Sequence, residues 1–569
     1  MHSFPTSAWR IPKTITGLLA HAKQTWPDRP YLQIRVGNSL NALTYREVAL
    51  QSESLAQRLI ARSIHPGDRV ALLAENRPGW VTAYFGILLA GGVVVPIDSL
   101  MSPTEIASVL RMANALLLIT TRKFLDAVEQ VQSETGAVPL DTLLIDEPLE
   151  VEVSDGKDGH WLQLPKAKPD DLAVIIFTSG TTGFSKGVML THLNLCSDVQ
   201  GIVNAEILAP DDNFHLLLPL HHTYSATVNM LGSLALGARA TFATSYKSRD
   251  ILDDIRIARV TMLVCVPQVL ENLMIGIRRA ILDAPRHKRM AFRTVYALSG
   301  GLHKLGLNAG SVIFRGLREK ASLHSIRRMI SGGAALRPEV NRFFEHLGFL
   351  LLQGYGLTET SPVATVNPPW QNRIGSVGIA LPGVEVKIDN PDSSGIGEIC
   401  VRGDLVMRGY FENPEATAHV MEGGWFHTGD AGYLDRDGYL FITGRIKNII
   451  VTGGGKNVYP EEIEAVLNMC PCVLESLVIG FERSRGGGEE LAALLVVDQT
   501  YVDGERERGN EVDVNAELKK AVDDYNQSVP PYRKIRQWQI HPTEFEKTST
   551  RKIRRYVYKD AVQQESKGA

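Results

Sequence analysis

The chain has 569 residues, with 60 Lys and Arg against 63 Asp and Glu and a formal net charge of −3. Hydrophobic residues make up 44% and charged residues 22%, the balance of a folded globular protein, which excludes disordered and fibrous classes. Near-neutral charge argues against nucleic acid as a partner, and the length exceeds the roughly 250–300 residues that one core supports, so at least two domains are expected.

The first residues, Met1 to Pro5, lack the charged-then-apolar layout of a signal peptide. Buried strands then alternate with helices: Val70–Leu73, a helix at Trp80–Ala90, and the strand Val93–Ile97. The apolar run Tyr84–Ile97 is shorter than the roughly 20 residues of a membrane span, and Gly91-Gly92 and Pro96 break it into buried helix, turn and strand. Leu116–Thr120, Thr142–Ile145 and Ala173–Thr178 are further short strands, so mainly parallel α/β layers are expected. The charged, Gly- and Pro-containing stretch Val151–Asp171 reads as a connector between two such sheets.

Between Arg278 and Arg328 stand twelve Lys and Arg against Asp283 and Glu319, with apolar residues interleaved. This stretch reads either as a solvated helical surface or as a patch that meets anionic lipid or a phosphorylated ligand. From Gly383 short strands and tight turns take over, with Glu385–Ile388, the turn Asp392–Gly395 and Gly397–Arg402, which predicts a small β-rich subdomain. A compact segment follows Gly444. The five Cys are too scattered for a disulfide framework, Cys470-Pro471-Cys472 being the only close pair, and Ser566–Ala569 matches no prenylation or peroxisomal signal. The expectation is a cytoplasmic protein, peripheral at the inner membrane face at most.

The strongest local motif is Thr178-Ser179-Gly180-Thr181-Thr182-Gly183-Phe184-Ser185-Lys186-Gly187, directly after a strand. Small hydroxyl and glycine residues let backbone N–H groups wrap an anion, and Lys186 adds a positive charge, which is what a triphosphate or departing pyrophosphate needs. The spacing is not GxxxxGK[ST], so a Walker-type NTPase is not implied. Two glycine-rich turns, Ser331–Leu336 and Gly354–Thr360, follow apolar runs, and the ends of strands are where open α/β sheets bind ligands. There Tyr355 can face a purine, Thr358 can bond a phosphate, and Glu359 is a hard oxygen ligand for Mg²⁺. Trp425–Asp430 reads as a turn in which Asp430 either accepts ribose hydroxyls or makes a structural Asx turn. Gly444–Lys447 leads into the loop Gly453-Gly454-Gly455-Lys456, and a cationic run from Lys547 to Arg555 follows near the end.

In this order the motifs resemble the core motifs of the adenylate-forming superfamily: acyl- and aryl-CoA ligases, adenylation domains of peptide synthetases, and firefly luciferases. The resemblance runs from about Leu43 to Arg555. Gly67–Leu72, Leu218–Tyr224, Gly354–Pro362 and the basic insertion are most similar to long-chain acyl-CoA synthetases. Amino-acid-activating relatives carry an Asp in a Phe-Asp-x-Ser string; here Leu220-His221-His222-Thr223 offers no carboxylate, so a plain carboxylic acid fits better.

The resemblance implies an α/β fold with a large N-terminal domain, residues 1–444, of two α/β-layered sheets and the β-rich subdomain. A small mobile α+β domain, 445–569, would hinge near Lys447. It also implies an ATP-dependent ligase that makes an acyl-adenylate from a medium- to long-chain fatty acid, releases pyrophosphate, and passes the acyl group to CoA with release of AMP. The alternative acceptor is the phosphopantetheine of an acyl carrier protein. By the same resemblance Thr178, Ser179, Gly180, Thr181, Thr182, Gly183 and Lys186 hold the β/γ-phosphates, Glu359 binds Mg²⁺, and Thr358 meets the α-phosphate. Gly333, Ala334 and Tyr355 meet adenine, Asp430 and Arg445 the ribose. Lys552 bridges carboxylate and α-phosphate, His222 closes the acyl site, and Gly453, Gly454, Gly455 and Lys456 line the CoA channel. Three residues depart from the family pattern: Ser185 and Glu546 stand where proline is usual, and Arg551 where glycine is.

Overall fold

Short runs of branched apolar residues between helices fold here as parallel strands buried on both faces, because helices cover each side of the sheet. The computed structural model describes residues 10–135, 141–146, 162–178, 186–453, 456–482, 488–547 and 553–558. Among them, a seven-stranded sheet runs in the order Gly409–Tyr410, Lys186–Thr191, Leu172–Thr178, Val93–Pro96, Arg69–Leu73, Leu117–Thr120, Asp141–Leu144. Its last five strands are mutually parallel, whereas Lys186–Thr191 folds back antiparallel on Leu172–Thr178. A second, nine-stranded sheet has a parallel centre: Leu350–Tyr355, Arg328–Ser331, Met262–Cys265, Asn213–Leu216, Arg239–Phe242 and Pro30–Val36.

The helix Pro78–Leu89 is apolar all round and buries nine consecutive residues from Trp80 to Leu88. It therefore lies inside the molecule, and no helix among the described residues is long and apolar enough to cross a membrane. One hydrophobic cluster contains Val70 and Leu72 of the first sheet with Phe214 and Ala240 of the second, so the two sheets share a core. The expected β-rich part is a third sheet of Glu385–Asp389, Gly397–Arg402, Trp425–Leu434, Met421–Glu422 and Leu440–Arg445. Further on, Val473–Glu482, Glu489–Val497 and Ile535–Ile540 make a three-stranded sheet, covered by the helices Pro460–Leu467 and Val514–Ser528 through Ile463, Leu467, Leu518 and Val522.

Two local expectations are corrected. Trp425–Asp430 is not a turn but the first part of a ten-residue strand, hydrogen-bonded on both sides. Gly429 has φ +69°, and the register against Gly397–Arg402 shifts between His427 and Ala431, on either side of it, so the strand bulges there rather than reverses. Likewise Gly354 and Tyr355 belong to the strand Leu350–Tyr355, because Thr365–Val366 pairs with them antiparallel. All five cysteines are free; the sulfurs of Cys470 and Cys472 lie 3.1 Å apart.

One buried histidine makes the fold pH-sensitive. His192 opens the helix His192–Asn204, is 3% exposed, and its Nδ1 accepts the N–H of Ile15 at 3.2 Å. Burial, partly opposed by Asp171, pushes its pKa down to about 4 from 6.5, so the folded state holds it neutral. The stability this confers is present above pH 6.5 and is lost as pH falls towards 4, by about 3 kcal/mol at most. His192→Gln, which keeps an acceptor, is expected to flatten the urea-denaturation stability between pH 7 and 4.5; an unchanged pH slope would disprove the assignment.

Candidate active site

The hairpin of the first sheet pairs Thr178 with Lys186, so the two ends of the glycine-rich loop stand opposite one another. Ser179, Gly180, Thr181, Thr182 and Gly183, with Ser185, lie outside the described residues. Lys186 Nζ sits 4.7 Å from the centre of the Tyr410 ring, and the Tyr410 hydroxyl donates to Glu359 Oε1 at 2.9 Å. Glu359 lies on the short 3₁₀ turn Thr358–Thr360 just past the strand Leu350–Tyr355, and its carbonyl accepts the N–H of Met407 at 2.8 Å. Burial, and then the Glu359 anion, push the Tyr410 phenol well above its usual range, so it stays a donor. Sequence reading missed Tyr410; only its strand pairing with Lys186–Thr191 brings it between the lysine and the glutamate.

A second constellation lies at the bulge. Asp430, 6% exposed, accepts the Tyr355 hydroxyl on Oδ2 at 2.7 Å and meets Arg445 Nε through Oδ1, also at 2.7 Å. Asp430 and Arg445 are register partners, and the Asp430 N–H donates to Thr428 Oγ1 at 3.1 Å. The positive φ of Gly429 frees its N–H for Glu398 Oε1, 2.9 Å away. A carboxylate so held is an acceptor of fixed direction, suited to a vicinal diol. Asp430→Asn is expected to raise KM for ATP about tenfold or more with a smaller change in kcat, since it removes charge-assisted acceptance. Initial rates at varied ATP check this, and an unchanged KM refutes it.

Gly333, with φ +81°, and Ala334 follow the strand Arg328–Ser331. A Cβ at Gly332 would lie 2.8 Å from Tyr224 Cζ, so glycine there lets the tyrosine ring close against the backbone. Tyr224 begins an eight-residue π-helix, Tyr224–Leu231, in which Ala226, Val228 and Met230 are buried. Just before it, His222 Nε2 lies 3.2 Å from His221 Nε2, which in turn is 3.5 Å from Asp98 Oδ1. Burial lowers the pKa of both imidazoles, the neighbouring ring adding to the effect at His221, so the pair is neutral. Asp98 is a second residue that sequence reading missed: a buried carboxylate does stand near this wall, but it also accepts the Leu100 N–H at 2.9 Å.

Lys447 lies on the 3₁₀ turn Ile446–Asn448, and Asn448 Nδ2 donates to Glu461 Oε1 at 2.6 Å. Gly453 and Lys456 flank the connection between Ile450–Val451 and Asn457–Val458, closed by Thr452 N–H on the Lys456 carbonyl at 3.0 Å; Gly454 and Gly455 lie outside the described residues. Lys552 and Arg551 also lie outside them. The residues on either side are anchored: Lys547 bridges to Ile553, its Nζ is 2.9 Å from Glu475, and Arg555 holds Glu464 and the Val478 carbonyl. Glu546 gives its N–H to the Tyr558 hydroxyl at 2.7 Å, a bond that the usual proline lacks the hydrogen to make.

The AMP-binding enzyme family matches residues 19–411, and the AMP-binding enzyme C-terminal domain matches 447–565. A long-chain-fatty-acid–CoA ligase of Mycobacterium bovis is 30% identical, covering 93% of this chain and 92% of its own. A feruloyl-CoA synthase of Amycolatopsis is 30% identical over 82% of this chain and 86% of its own. Among solved structures, ATP-bound MatB from Rhodopseudomonas palustris is similar with a TM-score of 0.75 and 28% identity, covering 96% of this chain and 99% of that one.

Proposed function

This chain belongs to the AMP-binding enzyme family, the adenylate-forming acid–thiol ligases, and on that premise we propose that it joins a medium- to long-chain fatty acid to CoA at the expense of ATP. The observation that carries the reading is the juxtaposition of two unlike halves. The Tyr355–Asp430–Arg445 and Lys186–Tyr410–Glu359 groups form a charged half, and the buried Tyr224–Leu231 helix against Gly332, in which Ala226, Val228 and Met230 alternate with Ser225, Thr227 and Asn229, an uncharged one.

A carboxylate cannot acylate a thiol because oxide does not leave. Attack of its oxygen on the α-phosphorus of ATP forms a P–O bond, expels pyrophosphate with the electron pair of the broken bond, and leaves a mixed anhydride. In this reading Asp430 and Arg445 hold the ribose, Gly333, Ala334 and Tyr355 border the adenine, and Thr358 donates to the α-phosphate. Lys186, with Thr178 and the loop residues to Gly183, receives the β/γ-phosphates, and Lys552 steadies the charge that builds on the reacting oxygens. Glu359 fits Mg²⁺: its Oε1 is aimed by Tyr410 while Oε2 takes no hydrogen bond among the described residues, and the ion would neutralise phosphate charge there. We take 1–444 and 445–569 as two domains that rearrange about Lys447. This withdraws Lys552 and brings Gly453–Lys456 towards the thiol, whose attack on the anhydride carbonyl releases AMP. His222, neutral and backed by His221, closes the acyl site.

The aliphatic choice is supported by the uncharged lining of the Tyr224–Leu231 helix, by the engagement of Asp98 with His221 and Leu100, and by likeness to a long-chain-fatty-acid–CoA ligase. Pyrophosphate release measured with Mg²⁺ and ATP across short-, medium-, long-chain and aromatic acids, with and without CoA, tests it. CoA-dependent turnover that peaks with medium or long aliphatic acids is expected. A peak with aromatic acids overturns the substrate class, and a single burst indifferent to CoA moves the acceptor to an acyl carrier protein.

A further inference from the structure

Among the described residues, two groups of three His, Cys, Asp or Glu side chains bring all their ligand atoms within 4.8 Å of one another. One is Asp98, His221 and His222, beside the proposed acyl site. The other, Glu398, Cys400 and His427, takes no part in the chemistry above. It stands on the third sheet, and the strand ladder itself assembles it. Glu398 and Cys400 are two apart along Gly397–Arg402 and so share a face, and His427 is the register partner of Cys400 on the neighbouring strand.

His427 Nδ1 faces both other groups, with Glu398 Oε2 at 2.9 Å and Cys400 Sγ at 3.4 Å. One ring nitrogen gives or takes a single hydrogen bond, so protons alone serve the carboxylate or the thiol and leave the other short. Sγ also reaches the Glu398 carbonyl oxygen, but at 3.9 Å. A cation at the centre satisfies all three groups together. Ligands of one tetrahedral zinc ion stand about 3.3–3.7 Å apart, so the sulfur–nitrogen distance already matches, and the nitrogen–oxygen distance opens by about 0.4 Å when an ion replaces the proton. Glu422 Oε2 lies 4.0 Å from the outer ring nitrogen, Nε2, the side on which metal-bound histidines meet a carboxylate. Lys387, register partner of Cys400 on its other side, is held to Asp389 at 3.0 Å and lies over the Trp425 ring, which keeps its charge occupied. Burial, and then the Glu398 anion, push the Cys400 thiol up to about 12, so the sulfur releases its proton only to a cation that takes its place.

We propose that Glu398, Cys400 and His427 bind a zinc-class divalent ion through Oε2, Sγ and Nδ1, with solvent in the fourth position. Thiolate and imidazole select Zn²⁺ over Mg²⁺, which takes hard oxygen ligands such as Glu359, so the two ions have separate sites. As the metal–sulfur bond forms, the thiol proton passes to solvent and no electron is transferred. His427 and Glu398 are partly exposed, which gives the ion a way in, whereas Cys400 is buried. The role follows from the second oxygen of the carboxylate: Glu398 Oε1 accepts the Gly429 N–H at 2.9 Å, next to Asp430. An ion on Oε2 fixes the carboxylate that pins the bulge and so braces Asp430. Only this corollary rests on the ribose-binding role proposed for Asp430.

The full chain, stripped of metal and titrated with Zn²⁺ against a chromophoric chelator, is expected to bind the ion, and Cys400→Ser and His427→Gln to weaken that binding at least about tenfold with circular dichroism unchanged. Co²⁺ in place of Zn²⁺ reports the sulfur directly. A thiolate-to-cobalt charge-transfer band is expected in the parent and in Cys470→Ser/Cys472→Ser, which removes the other close pair of thiols, and is expected to vanish in Cys400→Ser. Equal Zn²⁺ affinity in parent and Cys400→Ser, no bound ion, or a band lost with Cys470→Ser/Cys472→Ser instead, overturns the site. If His427→Gln fails to fold, Cys400→Ser, which exchanges only sulfur for oxygen, decides alone. The corollary is read separately: one equivalent of Zn²⁺ at saturating Mg²⁺ should lower KM for ATP severalfold in the parent and not in Cys400→Ser. An unchanged KM with binding intact removes the brace and keeps the site.

Discussion

Lys552→Ala is expected to lower carboxylate-dependent pyrophosphate release by about a hundredfold or more while leaving thioester formation from supplied acyl-adenylate within a few-fold of the parent. The asymmetry follows from the chemistry. The first half-reaction draws negative charge onto the carboxylate and α-phosphate oxygens, where an ammonium is worth most in a water-poor site. The second consumes a neutral acyl centre and, in the proposed cycle, proceeds with Lys552 withdrawn. Lys547 pairs with Ile553 and Arg555 holds Glu464 without recourse to Lys552, so alanine at 552 removes the charge and leaves these anchors intact. Measuring both half-reactions separates the outcomes: parental adenylation rates would end the assignment, and equal loss in both steps would make the lysine structural.

Glu359→Gln is expected to lower kcat by about two to three orders of magnitude and to raise the Mg²⁺ concentration needed for half-maximal rate. The substitution is nearly isosteric and leaves an amide oxygen to accept from Tyr410, so what is lost is one negative charge on a hard oxygen donor. Tyr410→Phe, which removes the positioning bond but not the charge, should cost no more than about tenfold. Titrating Mg²⁺ at saturating ATP distinguishes the two variants. An unchanged Mg²⁺ dependence in Glu359→Gln would show that this carboxylate does not meet the ion.

How far the string of residues could be read depended on the range of the forces involved. Period and punctuation are local, so Gly397–Arg402 was legible to the residue, and Val93–Pro96 and Leu172–Thr178 to within one. Glycine misled where its cause was distant. Gly429 signals positive φ, but whether that φ closes a turn or bulges a strand depends on Gly397–Arg402 and Leu440–Arg445, which flank it in the sheet. The charge count between Arg278 and Arg328 left two readings open, because counting cannot tell Arg327 on Asp212 from Lys288, which has no ion-pair partner among the described residues.

The sequence by itself determined the fold class, the order of the nucleotide-facing motifs and most residues proposed to touch ATP, since these depend on residue type and short spacing. Only the tertiary structure decided which residues aim them. Tyr410 reaches Glu359 across 51 positions, Tyr355 reaches Asp430 across 75, and Asp98 meets His221 through the meeting of two sheets. Those partners carry no local signature, because a hydrogen bond constrains two atoms in space and leaves the intervening chain free. Burial then sets their protonation: the Tyr410 phenol keeps its proton and His221 and His222 stay neutral through desolvation, a property of the packed interior rather than of any segment of the chain.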